Sequence, residues 1–179
     1  MAEVINLEEA RLLIAVKKGY RNWKDRFKEE FGLGTRLSQI SWKTLSYLAL
    51  GSVKANFYLH DLIMSHKNMG SGLEFNRLSP TKKMAVVDQY LFLLDRMRFE
   101  CMKRLEWLES YPGEDLTLVE LVTRFDDLAP SLQVRPPLLS KNHPDYEKYL
   151  RTSTFDREAF VRKLIPKALS EIQDSATTL

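Results

Sequence analysis

Lys54 and Asp61 stand seven residues apart in a stretch, Leu45 to Met64, that is otherwise apolar on nearly every face. Tyr47 extends the spacing backwards, and Asp88 and Asp95 repeat it further along the chain. Seven residues is close to two turns of an α-helix, so each set shares a face. A lysine buried without a partner would be costly or would give up its proton. The pattern therefore predicts a buried polar inlay of Lys54, Asp61, Asp88 and Asp95, with Lys54 paired to Asp95 or Asp88 across antiparallel helices. Such a pair fixes helix register, and it can also line a polar pocket.

Two basic clusters stand out. His66, Lys67, Arg77, Lys82 and Lys83 surround the loop before Ser79-Pro80, and only Glu74 opposes them. Lys82 and Lys83 fall in the first turn of a helix, where the macrodipole is already positive. Free amides, added cations and the glycines at 70 and 72 make this a candidate anion site. On the first helix, Lys17, Arg21, Lys24 and Lys28 follow intervals of four, three and four and form a cationic stripe. A stripe of that kind can lie along nucleic-acid phosphates or an anionic membrane surface.

Common catalytic chemistry is missing. The sequence contains no G-x-G-x-x-G, Walker A loop, G-x-S-x-G or H-E-x-x-H. His60-Asp61 resembles the central dipeptide of the HD phosphohydrolases, a family that places another metal-binding histidine upstream. The histidines are His60, His66 and His143, so no upstream ligand is present. His60 and His66 are roughly 240° apart around a helix and cannot share a metal from one regular helix. Cys101, the single cysteine, excludes an internal disulfide and falls on an apolar row, where a buried structural thiol is expected. No catalytic residue, metal site or cofactor is assigned, and the sequence points away from an enzyme.

The elements that must position these residues are helical almost throughout. The chain has 179 residues, 44% hydrophobic and 28% charged, which suits one domain with a sizeable core. Asn6 should cap a helix over about 7–31, with Leu12, Val16, Tyr20, Trp23, Phe27 and Phe31 on its buried face. A second helix is expected over about 39–65, with Gly51 marking a close crossing. Ser79-Pro80 should open a third, reaching about residue 110, and apolar rows on two of its sides make it central. A fourth is expected over 118–128, closed by Pro130. A fifth, over 155–174, should be kinked at Pro166. The fold class is therefore all-α: a bundle of about five helices around a central antiparallel pair. Residues 1–128 form its core, 129–153 a Pro-containing extended connection or arm, and 154–179 a C-terminal helix packing on the bundle.

Charge is segregated along the chain. Residues 1–83 carry 14 basic and 8 acidic side chains, residues 84–130 carry 5 and 10, and the whole chain has a net charge of +3. The longest stretch without a charge, Thr44 to Val53, is far short of the roughly 20 residues of a membrane span. The acidic opening residues do not read as an export signal, so a cytoplasmic location is expected. The leading functional expectation is a helical adaptor or regulator that binds an acidic protein or self-associates through its charge asymmetry. Exchange of the 129–153 connection between protomers would give a dimer. The alternative is a binder of nucleic acid or a phosphorylated ligand through the basic loop.

Overall fold

The computed structural model describes residues 6–177. The opening residues, on which the absence of an export signal was read, lie outside that range. The described chain is mostly helical, with one short two-stranded sheet. None of its helices is long and apolar enough to cross a membrane.

Helix α1 spans Leu7–Phe27, and the Asn6 side chain accepts from the Glu8 amide at 3.0 Å. It stops four residues before Phe31, because Lys28 adopts a left-handed conformation with φ 58°. That reversal lets Phe31 fold back and stack on Tyr20, with centroids 5.4 Å apart, and meet Trp23 edge-on at 5.3 Å. Burial of a third aromatic ring outweighs one more helical turn.

The expected second helix is two. Helix α2 spans Trp42–Ala49 and α3 spans Val53–His66. Gly51 lies between them with φ 71°, and the Ser52 side chain accepts from the Ala55 amide as a new N-cap. Gly51 thus serves a turn that other residues enter at a cost, and a Cβ there would also lie 3.1 Å from the Arg98 guanidinium. A closer crossing is at Gly19 of α1, where a Cβ would sit 2.6 Å from Ser65 Oγ and 3.1 Å from Leu62 Cδ1 on α3.

Helix α4, Pro80–Arg104, begins where Ser79-Pro80 requires and ends six residues early. Glu106 turns left-handed with φ 66°. The Trp107 amide donates to Met102 at 2.9 Å and the Glu106 amide to Lys103 at 3.0 Å, which is a Schellman stop without its usual glycine. Residues Leu108–Ser110 then form β1, which pairs antiparallel with β2, Leu138–Leu139.

The expected fourth helix also divides, into α5 (Leu118–Thr123) and α6 (Phe125–Gln133). Pro130 lies inside α6 instead of closing it, held there by buried Leu128, Ala129 and Leu132 on one face. Residues 129–153, expected as an extended connection or arm, contain the end of α6, strand β2 and α7 (Tyr146–Arg151). Buried Tyr149 and Leu139 bind this stretch to the body. The expected kink at Pro166 is a full break. Helix α8 ends at Arg162 and α9 runs over Ile165–Thr177, with Pro166 in its first turn. Proline there obstructs the carbonyl four residues back and is tolerated at a helix start. Nine helices, not five, make up the described chain.

Helix α4 is central. Val86, Leu93, Met97 and Cys101 join α1–α3, α5 and α6 in the larger core. Phe99 and Met102 join β1, β2 and α7–α9 in the smaller one. The α2–α3 segment runs antiparallel to it. Arg104 donates to Leu37 O at 2.8 Å, Arg98 to Ala49 O at 2.9 Å, and Tyr90 to Asn56 Oδ1 at 2.6 Å.

Candidate functional site: a cationic aromatic groove

The predicted inlay is not a pocket. Lys54 is exposed, because α3 starts only at Val53 and Lys54 falls in its solvated first turn. Asp61 is buried, with Oδ1 accepting from the Gly72 amide at 3.0 Å and Oδ2 from Asn22 at 3.1 Å. Burial pushes its carboxyl above the ordinary value, against those hydrogen bonds and the Arg21 charge. Asp95 pairs with Arg162 at 2.7 Å, not with Lys54, and Asp88 is exposed. The neighbouring His60 packs its ring on Phe75 at 4.1 Å and against Tyr90 at 5.3 Å.

The basic loop residues do not line the hollow beside them. His66 is tied by Nδ1 to Leu62 O at 2.8 Å. Lys67 ends α3, Arg77 and Lys82 point into solvent, and Lys83 is half-buried. The hollow beside the loop, about 270 Å³, is lined by Lys18, Arg21, Asn22, Asp61 and Ser65 together with backbone turns. On the cationic stripe, Lys17, Arg21, Lys24 and Lys28 are all exposed, and Lys28 leaves the helical line where the chain reverses.

That reversal builds a different feature. Where α1 ends and α2 begins, Phe27, Tyr47 and Leu50 floor a groove of about 440 Å³. Arg26, Lys28 and Lys43 line it as well, and none of the three pairs with a carboxylate among the described residues. Phe27 meets Tyr47 at 5.7 Å and Tyr58 at 5.1 Å, and the Arg26 guanidinium lies 5.3 Å from the Tyr47 ring centre. A clamp holds the two walls together. Glu29 accepts from the Ser41 amide at 3.2 Å and from the Ser41 and Thr44 hydroxyls. Burial would raise the Glu29 carboxyl, yet those hydrogen bonds and the Arg104 charge hold it below its ordinary value. The groove is therefore preformed, apolar below and positive at its rim.

Sequence reasoning missed Arg26 and Lys43, which lie 17 positions apart across a loop and share no periodicity. It grouped Tyr47 with Lys54 and Asp61 by a spacing that the break at Gly51 dissolves. It also missed Arg96, which is 1% exposed and lies 5.1 and 5.0 Å from the Phe92 and Phe99 ring centres. Arg96 donates to Pro112 O at 2.7 Å and lies 3.6 Å from Glu158. Buried Glu100 accepts from Tyr111 at 2.7 Å and Arg104 at 3.1 Å. Cys101 is buried, which pushes its thiol up to about 12 and leaves it protonated at neutral pH. No group of three or more His, Cys, Asp or Glu side chains is gathered to hold a metal ion among the described residues. Compared with known proteins, the chain matches no family model, no curated protein and no solved structure.

Proposed function

We propose that the protein is a non-enzymatic interaction module, an adaptor or regulator, that takes an acidic segment of a partner protein into the groove between α1 and α2. The observation that carries this reading is the set of cations without a carboxylate partner among the described residues, Arg26, Lys28 and Lys43, around the apolar floor of Phe27, Tyr47 and Leu50. An acidic segment with one or two apolar anchors matches both features. Its anchors leave water for the floor, and its carboxylates meet the rim. Tyrosine and arginine are the side chains that most often dominate such contacts. The excess of 14 basic over 8 acidic residues in positions 1–83 would speed encounter with an acidic partner. Phosphate recognition at the basic loop draws less support. None of its five residues lines the cleft beside the loop, and that cleft contains the Asp61 carboxylate.

The test is fluorescence anisotropy with a labelled synthetic peptide. It carries Leu and Phe at i, i+4 and i+7 and Glu elsewhere. Saturable binding is expected. Arg26→Glu combined with Lys43→Glu should abolish it, and Tyr47→Ser should weaken it by about tenfold or more. A peptide of equal charge with Ser in place of Leu and Phe should bind poorly. Binding that survives the charge reversal, or that depends on charge alone, would overturn the assignment.

A further inference from the structure

A second apolar surface lies beside α6 and α8. Pro130, Val134, Pro136, Phe155 and Ala159 line a hollow of about 640 Å³. Phe155 is 94% exposed and Val134 is 74% exposed. A contiguous exposed apolar patch of this kind marks a contact surface. Phe155 follows Thr154 in a single 3-10 turn leading into α8, so its ring is presented by backbone anchored in the fold.

The charges at this surface decide what covers it. Glu158 and Arg162 line the hollow and pair with each other at 3.2 Å. Arg162 also pairs with Asp95 at 2.7 Å, and Glu158 lies 3.6 Å from Arg96. Two cations and two carboxylates thus cancel one another within the fold. Those four charges leave nothing over to attract an acidic or a basic partner, and they add no repulsion when the hollow meets its own image across a two-fold axis. The groove between α1 and α2 is the opposite case, since self-pairing would bring three cations against three cations.

We propose that this face is a self-association surface, at which two copies of the chain pair about a two-fold axis and each inserts Phe155 into the other's hollow. Knob and hollow occupy one face, so a single symmetric contact satisfies both copies and closes the assembly at a dimer. Val134 and the two prolines would enclose the incoming ring, and water would leave both Phe155 side chains. This dimer requires no exchange of chain segments and leaves the α1–α2 groove outside the contact.

Sedimentation velocity on the full chain, over about two decades of concentration reaching roughly 100 μM, tests the proposal. A reversible shift from the 20.9 kDa monomer to twice that mass is expected. Phe155→Ser and Val134→Glu should each raise the dissociation constant by about thirtyfold or more. Both residues are exposed, so the far-ultraviolet circular dichroism of each variant should match the parent. Mixing the two variants should restore a dimer of intermediate strength, because one intact knob then meets one intact hollow. Arg26→Glu with Lys43→Glu should leave the dimer unchanged, which separates this result from the fate of the acidic-segment reading. A monomer at every concentration, a dimer that survives Phe155→Ser, or a mixture that stays monomeric would each overturn the inference.

Discussion

Gly19 on α1 and Ser65 on α3 are packed so closely that a Cβ on the glycine would lie 2.6 Å from the serine hydroxyl. The hydroxyl is held in place by its bond to Leu62 O at 2.9 Å. Gly19→Ala should therefore destabilise the protein by about 1–3 kcal/mol through overpacking, despite the better helix propensity of alanine. Adding Ser65→Ala removes the obstructing oxygen and should recover part of the loss. Urea denaturation of the two single variants and the double variant checks this, and additive losses would place the strain elsewhere.

Glu29 clamps the start of α2 to the end of α1. In Glu29→Gln the amide nitrogen replaces one acceptor, so Ser41 and Thr44 lose hydrogen bonds to a carboxylate. A cost of about 1 kcal/mol is expected, in the range of a lost helix cap. The sign with pH follows from the lowered carboxyl. Its stabilisation is present above the unfolded value of about 4.3 and is lost as pH falls through the lower folded value. Denaturation midpoints of parent and variant should therefore converge in acid, and a difference that persists at pH 2 would argue against the clamp.

The helix starts after Asn6, Ser79 and Thr117 were legible because each depends on one side chain accepting from a nearby amide. The stops were less so. Lys28 and Glu106 turn left-handed without being glycine, and only the distant rings that benefit from the reversal explain Lys28. Gly51 was visible as an anomaly, but its left-handed turn and a close crossing leave the same mark in a sequence. The strands are three and two residues long, too short for alternation to register. The helical class was legible from the apolar spacing that recurs along most of the chain. The groove was not, because its floor and rim join residues 26–28 to residues 43–50 through a turn that no spacing announces.

Arg96 is a buried cation whose partners are Pro112 O, Glu158 and two phenyl rings. Burial pushes its guanidinium below the ordinary value, while Glu158 and Asp95 act against that shift. Removing it opens a void between Phe92 and Phe99 and leaves Arg162 as the remaining cation on Glu158, so Arg96→Ala should cost about 2–5 kcal/mol. Arg96→Met refills the space between the rings and should cost substantially less, leaving mainly Pro112 O without its donor. Chemical denaturation of both variants distinguishes these outcomes. Equal losses would mean that charge rather than packing dominates at this position.

His66 sets a pH dependence on the neutral side. Its Nδ1 donates to Leu62 O at 2.8 Å, which leaves Nε2 as a buried lone pair without a partner among the described residues. Protonation would place an unpaired N–H at a buried site, and burial accordingly holds the imidazole below its ordinary value, with the Leu62 bond acting against the shift. His60 and His143 are lowered in the same direction, chiefly by burial. For a lowered histidine the unfolded chain binds protons first. The stabilisation is complete above the unfolded value of about 6.5 and is lost as pH falls toward the folded values. Asp61 and Asp95 act oppositely, because burial raises both, and their ionisation penalty is relieved as they protonate. The thermal midpoint should therefore decline as pH falls from about 7.5 to about 5.5. His66→Asn keeps a donor for Leu62 O and removes the titration, so its decline over that interval should be shallower. Differential scanning fluorimetry in matched ionic strength reads both slopes, and parallel curves would assign the decline to other groups.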